Sequence, residues 1–275
     1  MSGVPLDPDR ALAAAAAAAR EAGAILLEEF RHPQRIEYKG EADIVTQADL
    51  RSERAIVARL RQAFPDHAIV GEELGEQAAA AGARYCWSVD PLDGTTNFAH
   101  GFPVFAVSIG LLEDGQPLLG AVYSPAADEL FTALRGRGAQ LNGRPIRVSV
   151  VPQLATSLLG TGFPSHKRQQ NPNIHFYWEF TLRSHGVRRA GAAALDLCSV
   201  ACGRFDGFWE FGLKPWDTAA GVLLVREAGG QASDFAGRPY RPGDRELVAS
   251  NGLIHEEFCR VGREIAAKLP AKETR

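Results

Sequence analysis

The chain reads as α/β overall: an α+β first half and a second half of alternating strands and helices. Three observations predict this: two long helical segments open the chain, turn-punctuated strands follow, and strands alternate with helices beyond Pro152. Asp7 as N-cap with Pro8 in the first helical position starts an alanine-rich helix over about 8–31. An amphipathic helix is predicted over 47–64. Short apolar strands near 67–71 and 85–90 both end on acids. Segments 104–112, 118–123 and 129–133 have strand character, with turns at Asp114-Gly115 and Pro125. Gly136-Arg-Gly138 and Asn142-Gly143 give hairpin-like turns leading to a strand about 146–150. Further strands are predicted near 156–160, 186–189 and 247–250, and helices near 193–203, 216–228 and 255–268. No solenoid-period repeat or low-complexity linker is present. The boundary near 150 divides two halves, 1–150 and 151–275, that share one cleft.

Composition agrees with this reading. With 275 residues and 45% hydrophobic content, the chain can bury a large core. A formal charge of −3 and a pI near 6.2 give no general basic field, so nucleic acid is not expected as a partner. Lys167-Arg168 with His166 and His175 reads as a solvated loop. Cys86, Cys198, Cys202 and Cys259 are scattered and read as reduced, mostly buried thiols. No segment is long and apolar enough to cross a membrane. The alanine run 11–19 lacks a cationic leader, since Asp7 and Asp9 precede it. A soluble, cytoplasmic protein is expected.

The most informative stretch is Trp87-Ser-Val-Asp90-Pro-Leu-Asp93-Gly-Thr-Thr-Asn-Phe98. A short buried strand ends on Asp90, Pro91 and Gly94 turn the chain, and Thr95-Thr96 suit the first turn of a helix. Two carboxylates from one tight loop suit a hard divalent cation such as Mg2+, while the helix N-terminus suits an anion. A phosphate bridged to metal satisfies both. Alone, the segment equally fits ordinary turn chemistry. More acids stand at comparable places: Gly71-Glu72-Glu73 after an apolar strand, Asp217 at the start of an apolar helix, and Asp43-Ile-Val-Thr46-Gln-Ala-Asp49 before an amphipathic one. Singly, Asp217 and Asp49 read as N-terminal caps; together, the clusters point to a metal site.

On these residues the chain resembles the inositol monophosphatase family of Mg2+-dependent, lithium-sensitive phosphatases, closest to its bacterial branch. The matching blocks, in order, are Asp43 to Asp49, Gly71-Glu-Glu73, Trp87 to Phe98, Thr161-Gly-Phe163 and Trp209-Glu-Phe-Gly-Leu-Lys-Pro-Trp-Asp217. The resemblance implies a layered α/β/α/β/α sandwich of the sugar-phosphatase type with the site between its halves. It also implies two or three Mg2+ ions: one on Glu72, Asp90 and the Leu92 carbonyl, one on Asp90, Asp93 and Asp217, and a weaker third near Glu72. Thr95, supported by Asp49, would orient the attacking water and help deprotonate it, with Glu72 as the third catalytic residue, and the N–H groups of Gly94 and Thr95 would hold the phosphate.

For the substrate, the resemblance implies Glu210 as a hydroxyl acceptor and Gly191 to Ala193 packed against a sugar or inositol ring, with Asp93 and Asp217 also in contact. Ser165 would border the pocket. Lys214 and the Arg188-Arg189 pair read first as solvated cations, although the pair is also placed to touch substrate or a second subunit. A homodimer and a small phosphate-ester substrate are expected. Inositol-1-phosphate is the first substrate. Histidinol phosphate, fructose 1,6-bisphosphate and NADP are alternatives with the same chemistry. Thr96-Asn97-Phe98 favours the inositol branch over 3′-phosphoadenosine 5′-phosphate. A regulatory binding protein that keeps the fold is the remaining reading, set against the presence of all four acids Glu72, Asp90, Asp93 and Asp217.

Overall fold

The computed structural model describes residues 6–31, 37–38, 44–73, 75–77, 83–163 and 171–269. In chain order, its first half holds α1 (Pro8–Phe30), β1 (Glu37–Tyr38), β2 (Ile44–Val45), α2 (Gln47–Ala63), β3 (Ala68–Gly71), β4 (Gly75–Gln77) and β5 (Tyr85–Asp93). There follow α3 (Thr95–Ala99), β6 (Ala106–Glu113), β7 (Gln116–Ser124), β8 (Glu129–Leu134), β9 (Ala139–Leu141) and β10 (Arg144–Ile146). The second half holds β11 (Leu158–Thr161), α4 (Asn173–Arg183), β12 (Gly186–Arg188), α5 (Ala193–Ala201) and β13 (Gly207–Phe211). It closes with α6 (Pro215–Glu227), β14 (Gln231–Ser233), β15 (Glu246–Ser250) and α7 (His255–Ala266).

Two large sheets organise these elements, and β1 and β2 pair antiparallel in a separate two-stranded ribbon. The larger runs β10-β9-β8-β7-β6-β5-β3-β4 and is antiparallel except where β3 pairs parallel with β5. The smaller runs β12-β11-β13-β15-β14, with β11 parallel to both neighbours. Helices α1 and α2 cover one face of the larger sheet, α5 and α6 lie between the sheets, and α4 and α7 cover the far face of the smaller one. The order is α/β/α/β/α, as the resemblance implied.

The sequence explains the layers. Ala11, Ala15, Ala18, Ala19 and Ala22 give α1 a flat buried face that lies close on the sheet. Helix α6 touches both sheets, so an apolar stripe is not enough, and every residue of 218–225 is buried. Its approach to the larger sheet requires glycine. A Cβ on Gly110 would stand 2.8 Å from Ala219 Cβ, and one on Gly120 would stand 2.8 Å from Ala220 Cα. Gly120→Val is therefore expected to cost about 3 kcal/mol by overpacking, read as a lower denaturation midpoint in urea. This contact holds the start of α6, which carries Asp217, against β6 and β7, and β6 pairs directly with β5, the strand of Asp90.

Several expectations need correction. The strand about 146–150 is not formed: β10 ends at Ile146, and Ser149 Oγ instead donates to Asp206 Oδ1 at 2.5 Å. His175 lies in α4 and not in a loop. That helix escaped the reading because Pro172 caps it without a side-chain hydrogen bond and its β-branched and aromatic residues are only moderate helix formers. Strand β13 escaped because all five residues are buried, which erases the alternation that marks a half-buried strand.

Candidate active site

A β-bulge builds the centre of the site. Asp90 pairs with Ser108 and Asp93 with Ala106, so Pro91 and Leu92 together oppose a single residue of β6. Ser52 Oγ on α2 donates to the Pro91 carbonyl at 3.0 Å and holds the bulge from behind. The Leu92 N–H donates to Asp90 Oδ1 at 2.9 Å, fixing that carboxylate. Gly94 then turns the chain at φ 90° into α3. No other residue fits there, since a Cβ would come within 2.8 Å of the Val104 carbonyl.

Asp93 joins the two halves. Its Oδ1 accepts the Ala193 N–H at 3.2 Å and its Oδ2 accepts the Ala194 N–H at 2.7 Å. Helix α5 has no side-chain cap of its own, so an acid from the other half complements its N-terminal dipole. Asn97 ties the same junction: its Nδ2 donates to the carbonyls of Val104 at 2.8 Å and Ala190 at 2.9 Å. Asp217 Oδ2 accepts the Lys214 N–H at 2.7 Å at the start of α6. Ser108 Oγ donates to the Trp216 carbonyl at 3.2 Å, binding that helix end to β6.

Asp49 and Thr95 meet beside the bulge. Asp49 is 1% exposed, and its Oδ2 accepts both the Thr46 N–H at 2.7 Å and the Thr46 hydroxyl at 2.6 Å. Its other oxygen faces Thr95, whose Oγ1 lies 3.4 Å from Asp49 Oδ1 and 3.0 Å from the Leu92 carbonyl. Asp49 is thus both a cap of α2 and a neighbour of Thr95.

The electrostatics are one-sided. Burial first, and then the charges of Glu72, Asp93 and Asp217, push the Asp90 carboxyl well above its usual range. Burial raises Asp93 to about 6 against the opposing α5 N–H groups. Burial and Asp93 raise Asp217 to about 7. Glu210 and Asp196 are pushed well up by burial and by neighbouring acids, with Arg189 as the opposing cation in both cases. These are oxygen donors carrying surplus negative charge in a low-dielectric wall, and they fit a hard divalent cation. Among the described residues, no three His, Cys, Asp or Glu side chains already enclose one point.

The fold thus brings Glu72, Asp93 and Asp217 within range of Asp90's charge and sets Thr95 beside Asp49. Gly191 lies against Asn97 and the Arg189 guanidinium. Arg188 and Arg189 are both exposed, and the charge of Arg189 acts on Glu210 and Asp196. Cys198 and Cys259 are buried, Cys86 and Cys202 half-buried, and all four are free thiols. Asp43, Ser165, His166, Lys167 and Arg168 lie outside the described residues. No helix among those described is long and apolar enough to cross a membrane. The sequence reading passed over Asp196, a carboxyl 1% exposed whose Oδ2 has no hydrogen-bond partner among the described residues. Its signal was available: a single acid inside the apolar run Ala192-Ala-Ala-Leu-Asp196-Leu-Cys198.

Comparison with known proteins agrees with this geometry. The sequence pattern of the inositol monophosphatase family matches residues 7–267. The chain is 46% identical over 258 residues to the inositol-1-monophosphatase of Synechocystis sp., across 92% of this chain and 89% of that one. It is 49% identical over 243 residues to the Nus factor SuhB of Pseudomonas aeruginosa, across 85% and 89%. The solved inositol monophosphatase from Anabaena superposes with a TM-score of 0.84 at 42% identity, covering 93% of this chain and 96% of that one. Sequence and fold agree along nearly the whole length: the chain belongs to the inositol monophosphatase family and is a phosphatase.

Proposed function

We propose that this chain is a Mg2+-dependent phosphomonoesterase that releases phosphate from inositol-1-phosphate and related polyol phosphates. The observation that carries this reading is buried Asp90 set beside half-buried Asp93 and Asp217, each raised by desolvation and, for Asp90 and Asp217, by neighbouring acids. Glu72, Asp90 and the Leu92 carbonyl would hold one ion, Asp90, Asp93 and Asp217 a second, and Glu72 would border a weaker third. Bound divalent ions supply neutralising charge and ionise water near neutral pH. The chain's own groups do the rest. Thr95 Oγ1 takes the proton of the attacking water as its own proton moves toward Asp49. The N–H groups of Gly94 and Thr95 orient the phosphate oxygens, Glu210 accepts a substrate hydroxyl, and Gly191 and Ala193 border the ring.

Thr95→Ala is expected to lower kcat about 10²- to 10⁴-fold, the usual contribution of a positioned proton acceptor, with Mg2+ binding by calorimetry little changed. An unaltered kcat would remove Thr95 from proton transfer. The substrate is tested by phosphate release at saturating Mg2+ from inositol-1-phosphate, fructose 1,6-bisphosphate, histidinol phosphate and NADP. The highest kcat/KM is expected on inositol-1-phosphate, and a clear preference for another ester would overturn the substrate while leaving the chemistry. A cytoplasmic homodimer belongs to the same reading. Helix α4 exposes Ile174, Trp178 and Leu182 on one side, an apolar strip of the kind a subunit contact covers. Light scattering should give twice the 29.6 kDa chain mass, and a monomer at micromolar concentration would contradict it.

A further inference from the structure

Gly162 is a glycine for reasons of space and not of backbone conformation. It follows β11 and is absent from the glycines with positive φ. A Cβ built on it would lie 2.1 Å from Glu210 Oε2 and 2.4 Å from both Oε1 and Cδ. The Glu210 carboxylate therefore occupies the volume a side chain at 162 would need. Glu210 is 7% exposed, and the acids acting on it are Asp217 and Asp93, so it lies against Gly162 on one side and toward the cleft on the other.

A buried network holds the two residues in register. Asn173, fully buried at the start of α4, donates from Nδ2 to the Gly162 carbonyl at 2.6 Å and to Thr161 Oγ1 at 2.9 Å. Trp209 Nε1 donates to Asn173 Oδ1 at 2.5 Å, and Thr161 Oγ1 donates to the Trp209 carbonyl at 2.8 Å. Each bond links Gly162 or its neighbour Thr161 to Trp209, the residue before Glu210, directly or through Asn173. Buried polar groups linked in this way resist displacement together.

We propose that Gly162 is a specificity-determining residue: the missing side chain lets Glu210 lie flat at the end of β11 and present its carboxylate to a hydroxyl of the substrate, with Asn173 as the positioning residue. The ligand class selected is a phosphate ester bearing free hydroxyls near the phosphate. The inference rests on the reading of Glu210 in the preceding section.

The test is the ratio of kcat/KM for inositol-1-phosphate to that for p-nitrophenyl phosphate, which has no hydroxyl to offer. In Gly162→Ala the atoms nearest the added methyl all belong to the carboxylate end of Glu210, so the carboxylate swings away and the backbone stays. The ratio is expected to fall about tenfold, the loss of one hydrogen bond to a charged group. Glu210→Asp should lower it similarly, and the double variant should resemble Glu210→Asp alone because the two changes act on one contact. Asn173→Ala should move the ratio in the same direction. An unchanged ratio in Gly162→Ala, or independent effects that multiply in the double variant, would overturn the proposal. Should Gly162→Ala fail to fold, recovery of folding in the double variant supports the contact, and failure to recover contradicts it. A wild type silent on both esters would instead overturn the underlying function.

Discussion

Asp90→Asn is expected to lower kcat for polyol phosphate hydrolysis by about 10³-fold or more, roughly 4 kcal/mol of transition-state stabilisation, while raising the thermal midpoint in chelator at pH 8. The two effects have opposite signs for one reason. Asp90 is 2% exposed and interacts with the charges of Glu72, Asp93 and Asp217. With metal bound, as proposed, its carboxylate would be a ligand whose charge the metal neutralises. Without metal, it is a buried charge among like charges, and replacing it relieves repulsion. Asparagine keeps an oxygen to accept the Leu92 N–H, so the bulge is retained. Loss of activity with loss of stability in chelator would indicate a purely structural residue. Retained Mg2+-dependent turnover would remove Asp90 from the ligands.

The second large effect is in pH. Asp93 is raised to about 6 and Asp217 to about 7 from an ordinary 3.8. A carboxyl whose folded pKa lies above its unfolded value binds more protons when folded. In the metal-free protein these groups therefore reduce stability as pH rises from about 4 to 7, after which their effect is constant. Mg2+ requires the ionised forms, so protons compete with it. From Asp217 alone, apparent Mg2+ affinity at pH 5 should be about 100-fold weaker than above its pKa of about 7. Calorimetric scans at pH 5 and pH 8, with and without Mg2+, check this. A large stabilisation by Mg2+ at pH 8 and a small one at pH 5 is expected, and equal stabilisation at both would contradict it.

The legible parts of this molecule were those in which local chemistry and final position coincide. Asp90-Pro-Leu-Asp93-Gly shows its turn and its acids directly, and the bulge of β5 places them where that spacing suggests. Helices α1 and α6 were readable because Pro8 and Pro215 open long apolar or alanine-rich runs. What stayed hidden depends on partners distant in sequence. Nothing local in Asp93 says that it caps a helix starting at Ala193. Nothing in Gly162 says that a carboxylate from another strand fills its side-chain volume, because its φ needs no glycine. Strand β13 is buried throughout and so lacks periodicity. Asp196 was readable as an acid in an apolar helix but not as a neighbour of Glu210, which comes from a separate strand.

The measurement that bears most directly on the central claim is phosphate release from inositol-1-phosphate by the purified chain, first in chelator and then with Mg2+ restored. Activity should be at background in chelator and return in full with Mg2+. Turnover that persists in chelator, or folded protein with Mg2+ demonstrably bound that releases no phosphate, would contradict a metal-dependent phosphatase site built on Asp90, Asp93 and Asp217.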